Sequence, residues 1–159
     1  MIKFHGWEKK PRTALRFIKA GDVFMFKLTC KEAWGLGRIM TDTPIGKIVE
    51  VFDICLDSPE FHKNIDELKR IVPPFILDSY MMFDRKRQGD WRIVGHQNDY
   101  VPRDIENIFF VGGAKNHHFL VDFFGNTKKI SNEEAKKYPT ESPCLEYAVQ
   151  PAFTEKYGK

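Results

Sequence analysis

The chain has 159 residues, of which 42% are hydrophobic and 14% aromatic, and its formal net charge is +3. This composition excludes a disordered chain, because the apolar side chains are numerous enough to form a core that offsets the entropy cost of folding. The length suits one domain. We predict a single domain over residues 1–159, with a basic segment at about 1–20 and a β-rich core at about 21–150.

The cysteines and the N-terminal residues indicate a cellular compartment. Cys30, Cys55 and Cys144 are far apart and form no C-x-x-C pair, which predicts free thiols in a reducing compartment. The first residues lack the apolar stretch of a signal peptide, and no apolar run is long enough to span a bilayer. We therefore expect a cytoplasmic protein that does not contact a membrane.

Residues 20–53 contain three β-type runs separated by turns, a pattern that predicts an antiparallel meander. In the first run, Val23 and Met25 point to one face while Phe24 and Phe26 point to the other. Apolar residues on both faces predict a strand that is covered on both sides.

The second of these runs contains Gly35 and Gly37. Glycines inside a strand predict a bulge, a bend or a close approach of backbone, and a bent strand is the structural interpretation here. A dinucleotide-binding motif is excluded, because Met40 stands where the third glycine would be and no helix is predicted to follow.

Helices and further strands are predicted after the meander. Ser58 as N-cap and Pro59 at the first position predict a helix with Phe61 and Ile65 on its apolar face. Prolines 73–74 would end it. The later runs predict strands at about 75–83, 91–95, 107–111, 117–124 and 145–149, with a short run near residue 130.

A second short helix is predicted at Ser131, because Ser131 and Glu134 have capping-box spacing. The predicted fold class is therefore a β-rich α+β protein. Its main feature is a twisted antiparallel sheet, with partial closure into a small barrel as an option and with one or two short helices.

No residue set is arranged for catalysis. The adjacent pair His117 and His118 would face opposite sides of a strand, and His96, for which Asp99 is the nearest candidate partner, lies in a loop. The spacing H-E-x-x-H and the nucleophile motif G-x-S-x-G are both absent from the sequence. We predict no catalytic residue, no metal and no cofactor, and hence a protein that is not an enzyme.

Charge is unevenly distributed along the chain. Residues 1–20 hold six basic side chains and one acidic one, whereas residues 48–67 hold six acidic side chains and one basic one. Some of the acidic residues would form the solvated face of the predicted helix. Acids clustered in one segment also suit a cationic partner. The candidate partner-binding residues are Glu50, Asp53, Asp57, Glu60, Asp66 and Glu67.

The basic segment supports an alternative function, because cationic barrels that carry aromatic side chains often bind single-stranded nucleic acid. The residues that would do so are Trp7, Lys9, Lys10, Arg12 and Arg16. The small net charge ranks nucleic acid below a protein partner. The basic run within residues 84–90 is interpreted as a solvated hairpin loop.

Four segments occur in an order that resembles the bacterial immunity protein 26 family, a family sometimes labelled together with a HocA-type phosphotriesterase. The segments are AGDVF at 20–24, GLGRI at 35–39, EVFD at 50–53 and DWRIVGH at 90–96. The resemblance extends from about residue 9 to residue 139. One departure is Leu36, where family members often carry an aromatic residue.

The resemblance implies a protein that binds a cognate toxin domain and occludes its active site without turnover. Such proteins are encoded beside secreted polymorphic or contact-dependent toxins, whose C-terminal toxin domains are frequently basic nucleases of RNA or DNA. On this reading the acidic residues between 50 and 67 would contact the toxin. The label also suggests a metal-dependent phosphotriester hydrolase, for which the sequence offers no set of ligands.

Overall fold

The predicted meander is confirmed, and it lies at the centre of a six-stranded antiparallel sheet in the computed structural model, which describes residues 1–85 and 89–159. The strands are β1 (Ile2–Phe4), β2 (Asp22–Lys27), β3 (Trp34–Thr43), β4 (Gly46–Val51), β5 (Phe75–Leu77) and β6 (Trp91–Gln97). Their spatial order is β1-β6-β2-β3-β4-β5. Because β1 and β5 do not pair with each other in the described chain, the sheet is open. The twisted-sheet α+β class is confirmed, and the optional barrel is absent from the described residues.

Both faces of β2 are buried, as the alternating pattern predicts. Val23 and Met25 belong to one apolar cluster, and Phe24 and Phe26 belong to another on the opposite face. The Phe26 ring stacks on the ring of Trp91, with 4.3 Å between the centroids. Large rings on both faces make β2 the central element of this core.

The two glycines of β3 leave room for aromatic rings of β2. A Cβ atom at Gly35 would lie 2.2 Å from Cζ of Phe26, and one at Gly37 would lie 2.3 Å from Cζ of Phe24. The close approach at Gly35 is thus made by a side chain and not by backbone, whereas at Gly37 the backbone oxygen of Glu50 also lies 2.8 Å from the Cβ position. A bulge is also present farther along β3, between Ile39 and Thr41.

The helix predicted from Ser58 is wrong. Residues 58–72 contain only a 3₁₀ turn, Ile65–Glu67, which Asn64 caps by accepting a hydrogen bond from the backbone N–H of Asp66. The segment instead returns to the sheet, since the N–H of Ile71 donates to the carbonyl of Val51 at 3.0 Å. Its apolar residues are buried without a helix, and its end is held beside residues 51–53 by this bond and by one from the N–H of Asp53 to the carbonyl of Lys69.

One further predicted strand is shorter than expected, and another is wrong. The strand expected over 75–83 ends at Leu77, and a π-helical turn covers Tyr80–Arg85, where Asp78 caps the N–H of Met81. Of the loop predicted at 84–90, residues 86–88 lie outside the described residues. The strand expected over 145–149 is a 3₁₀ turn, Glu146–Ala148, followed by the unpredicted helix α2 (Gln150–Tyr157).

Helix α2 docks on the sheet through buried side chains. Phe153 is fully buried and meets the Phe26 ring edge-on at 5.5 Å. The amide of Gln150 donates to the carbonyl of Lys27 and accepts from the N–H of Thr29. Residues 144–159 thereby belong to the same compact unit as residues 1–101.

Residues 102–143 form a second compact unit. It holds a three-stranded antiparallel sheet of β7 (Phe109–Ala114), β8 (His117–Asp122) and β9 (Thr127–Lys129), followed by helix α1 (Asn132–Ala135). The predicted cap is confirmed, since the Ser131 hydroxyl accepts from the N–H of Glu134 at 3.1 Å. The assignment of 1–159 to a single domain stays a prediction.

None of the helices in the described ranges has both the length and the apolar character that crossing a membrane requires.

Candidate partner-binding surface

Arg38 and Glu50 form a buried ion pair in the middle of the sheet. They are directly opposite each other in the register of β3 and β4. The guanidinium of Arg38 donates from Nε to Oε1 of Glu50 at 2.8 Å. Its Nη2 lies 2.6 Å from the same oxygen. Both side chains are at most 1% exposed. Such a pair must be satisfied on every side, because an uncompensated charge in this position is strongly unfavourable.

Further polar groups surround this pair, although Nη2 of Arg38 has only its 2.6 Å ionic contact with Glu50 and no hydrogen bond within the described residues. Arg70 donates from Nε to the other oxygen of Glu50 at 2.8 Å. The Tyr100 ring lies 4.3 Å from the guanidinium carbon of Arg38, a cation–π distance. Burial raises the pKa of Tyr100, and the neighbouring charge of Glu50 raises it further. Burial opposes the charge of Arg38, but Glu50 and Asp66 outweigh it, so the pKa of Arg38 is raised.

Asp66 connects this buried network to the surface. Its Oδ1 accepts from Nη1 of Arg38 at 2.7 Å, and its Oδ2 accepts from the amide of Gln97 at 3.2 Å. The same Nη1 also donates to Oε1 of Gln97 at 2.7 Å. The Asp66 side chain is still 44% exposed. The buried side chains of Arg38 and Gln97 thus bind the Asp66 carboxylate from the protein side, while part of this carboxylate faces solvent.

A groove of about 450 Å³ opens in front of Asp66, between β1 and residues 61–66. Phe4 and Phe61 form part of its wall, and Gln97 and Asp99 also line it. Asp66 therefore faces a concave surface that combines apolar, acidic and basic groups, since Lys63 and the α-ammonium of Met1 also lie there. Concave surfaces of this composition suit recognition of a partner side chain.

The structure separates the six predicted acidic residues. Asp57, Glu60 and Glu67 are exposed, and with Asp66 they form an acidic surface on residues 57–67. Glu50 does not belong to it. Glu50 is instead paired with two guanidinium groups inside the protein, and its assignment as a partner-binding residue stays a prediction.

Asp53 contacts the C-terminal helix. Lys156 and the Tyr157 hydroxyl both hydrogen-bond its carboxylate, the latter at 2.6 Å. These two partners hold the pKa of Asp53 below its usual value. The carboxylate is 23% exposed, so it fixes α2 and contributes little to an open acidic surface.

The basic segment is organised differently from a base-stacking site. The Trp7 ring is 6% exposed and is covered by the guanidinium of Arg92, whose central carbon lies 4.3 Å from the ring centroid. Arg12 is paired with Asp84 at 2.5 Å. Lys9, Lys10 and Arg16 are exposed. Because Trp7 is covered, its face is not open to a nucleobase.

The predicted histidine contacts also differ from the structure. His96 lies in β6 and its Nδ1 is 2.8 Å from Asp22, so the suggested pairing with Asp99 is wrong. His117 and His118 lie in strand β8, where a strand was predicted. Within residues 1–85 and 89–159, no group of three or more His, Cys, Asp or Glu side chains is arranged to hold a metal ion.

Sequence reasoning missed four residues of the buried network, namely Arg38, Arg70, Gln97 and Tyr100. A usable signal existed for Arg38, since it is the one charged residue in the run WGLGRIM, where neighbouring residues are apolar or glycine. Pairing that run with the next one places Glu50 opposite Arg38, and opposite charges facing each other across strands stabilise a sheet. No comparable local signal indicates Gln97 or Tyr100.

A comparison with family models finds a match to the family described as Immunity protein 26 over residues 19–117. This range contains β2–β4 and β6 together with Arg38, Glu50, Asp66, Gln97 and Tyr100. No curated protein and no solved structure matches the chain. The matched range covers more than half of the chain and includes the complete buried network.

Proposed function

The chain belongs to the immunity protein 26 family, and on this premise we propose that it binds and neutralises a cognate toxin in the cytoplasm of the cell that produces both. It acts by stoichiometric occlusion of the toxin's active site and performs no catalysis. The toxin is the C-terminal domain of a secreted protein of a polymorphic or contact-dependent inhibition system. Family membership is the observation that carries this proposal.

The acidic surface is proposed as the side that the toxin approaches. Asp57, Glu60 and Glu67 project into solvent, and Asp66 is partly open to it. A basic nuclease domain, which must attract a nucleic acid, would be attracted to this surface by long-range electrostatics. We therefore propose a basic RNase or DNase as the toxin. Lys63 lies in the same segment, and its positive charge reduces the net negative charge of the acidic surface without cancelling it.

Co-expression tests the function. The toxin domain encoded in the adjacent upstream reading frame is expressed in cells with and without this chain. We expect the chain to restore growth and to co-purify with the toxin domain in a fixed ratio. Cells that die equally in its presence would contradict the proposed function.

Charge reversal tests the acidic surface. Substituting Glu60→Lys together with Glu67→Lys should slow association about tenfold or more at low salt, and the difference should shrink as salt screens the charges. Glu32→Lys with Glu155→Lys is a matched control, because it changes the net charge equally at exposed positions outside residues 57–67. If both pairs of substitutions had the same effect, only net charge would matter and the assignment of this surface would fail.

A further inference from the structure

The groove between β1 and residues 61–66 has an aromatic wall. The rings of Phe4 and Phe61 meet edge to face with 6.3 Å between their centroids. Phe61 is 4% exposed and belongs to the core, whereas Phe4 is 38% exposed. Phe4 thus offers an apolar ring to a partner, and the core holds that ring in place through Phe61.

Two carboxylates line the same groove. Asp66 is 44% exposed and Asp99 is 72% exposed. The α-ammonium of Met1 already binds Asp99 at 3.1 Å, so a primary ammonium group fits this part of the groove. Among the other lining residues, His62 and Lys63 are exposed, and His62 is 3.7 Å from Glu60.

We propose that this groove receives a lysine or arginine side chain of the toxin domain, with its aliphatic stem against Phe4 and its cationic end against Asp66 and Asp99. The inference rests on the proposed function and names the chemistry of the contact. Long cationic side chains bury their methylene groups along apolar surface while the charged end binds an acceptor. A cation beside an aromatic ring gains further attraction, and more so when water is excluded.

The buried network makes Asp66 a prepared acceptor. Arg38 and Gln97 hold both of its oxygens from the protein side, so the carboxylate loses little freedom when a partner binds. The Asp66 side chain lines the groove and is 44% exposed, so a partner can reach it. Binding groups that are ordered beforehand add affinity by reducing the entropy cost. Arg38 and Gln97 are therefore positioning residues for this contact.

The test measures the dissociation constant of the toxin domain for the unaltered chain and for Phe4→Ala and Asp99→Asn. Both positions are exposed and outside the buried network, so the fold should persist, which circular dichroism and the melting temperature check. We expect each substitution to raise the dissociation constant roughly tenfold or more, as at interface hot spots. Asp66→Asn should raise the dissociation constant by a similar factor, provided that the melting temperature of this variant shows that the variant is folded.

Matched controls come from outside the groove. Phe17 is a 62% exposed aromatic residue, and the Asp42 side chain is 71% exposed, close to the exposure of Asp99. Phe17→Ala and Asp42→Asn should leave the dissociation constant within about twofold, since surface residues outside a contact contribute little. A double-mutant cycle between Asp99→Asn and each substituted toxin lysine or arginine would then identify the cation.

The possible failures are distinguishable. If the unaltered chain binds and neutralises the toxin while Phe4→Ala and Asp99→Asn bind equally well, the groove is overturned and the immunity function stands. If Phe17→Ala or Asp42→Asn weakens binding instead, the toxin docks elsewhere, and the groove is again overturned. If the unaltered chain does not bind the toxin at all, both the function and the groove are overturned.

Discussion

Arg38 and Glu50 face each other across β3 and β4, 2.6 Å apart at their closest atoms, and neither side chain is more than 1% exposed. Arg70 donates to Oε2 of Glu50, and Asp66 accepts a hydrogen bond from Nη1 of Arg38. The pair therefore joins the centre of the sheet to the acidic surface. Its members depend on each other, because removing one leaves the other charged, buried and without compensation.

Glu50→Gln is predicted to lower the free energy of unfolding by about 3–5 kcal/mol, the usual cost of removing one partner of a buried ion pair. Urea unfolding followed by circular dichroism measures this. Glu60→Gln, at an exposed position, should change the value by no more than about 0.5 kcal/mol. An equally small change for Glu50→Gln would mean that the pair is hydrated in solution.

Gly35→Ala is predicted to destabilise the protein by about 1–3 kcal/mol, because the new methyl group would overlap the Phe26 ring. Phe26→Leu alone should also destabilise, since a well-packed ring is lost. The double substitution should cost less than the two single effects added together, because leucine vacates the space that the methyl group needs. Thermal unfolding of the four proteins measures the coupling, and strict additivity would contradict the proposed close approach.

Phe153→Ala is predicted to lower the free energy of unfolding by about 3–5 kcal/mol, because the ring is fully buried against Phe26. Glu155→Ala, on the exposed side of the same helix, should have an effect below about 0.5 kcal/mol. Proteolysis near residue 150 should become faster only in the Phe153 variant, because α2 loses its anchor. Equal protection in both variants would show that α2 contributes little to stability.

Alkaline pH is predicted to destabilise the protein through Tyr100 and Tyr157. Burial raises the pKa of both hydroxyls, with a further rise from Glu50 for Tyr100 and from Asp53 for Tyr157. The contribution of each is complete below about pH 10, the unfolded value, and is lost as pH rises toward the folded pKa. Above pH 10 the loss approaches about 1.4 kcal/mol per pH unit for each group.

The measurement for this prediction is urea unfolding of the unaltered chain and of Tyr100→Phe between pH 8 and pH 11. The variant keeps the ring over Arg38 but has no hydroxyl to ionise, so its stability should fall less steeply above pH 10. Curves that remain parallel throughout this range would show that Tyr100 does not contribute to the alkaline loss.

Much of the fold was predictable from local patterns. The meander, the two-sided burial of β2 and the cap at Ser131 follow from alternation and capping chemistry, which act over a few residues. The helix predicted from Ser58 was wrong because that prediction, too, used only local spacing. The spacing of Phe61 and Ile65 shows that these residues are buried, but a segment hydrogen-bonded to β4 can bury them as well as a helix can. Local spacing does not distinguish the two cases.

The sequence by itself determined the fold class, the central meander, and the resemblance that family membership confirms, because each rests on the order and types of neighbouring residues. Only the tertiary structure decided which of these acids are exposed to solvent. It placed Glu50 inside the protein, bound Asp53 to α2 and left Asp66 at a groove beside Phe4. The reason is that the exposure and ionic partners of a carboxylate depend on residues such as Arg38 and Gln97, which approach it only when distant segments pack together.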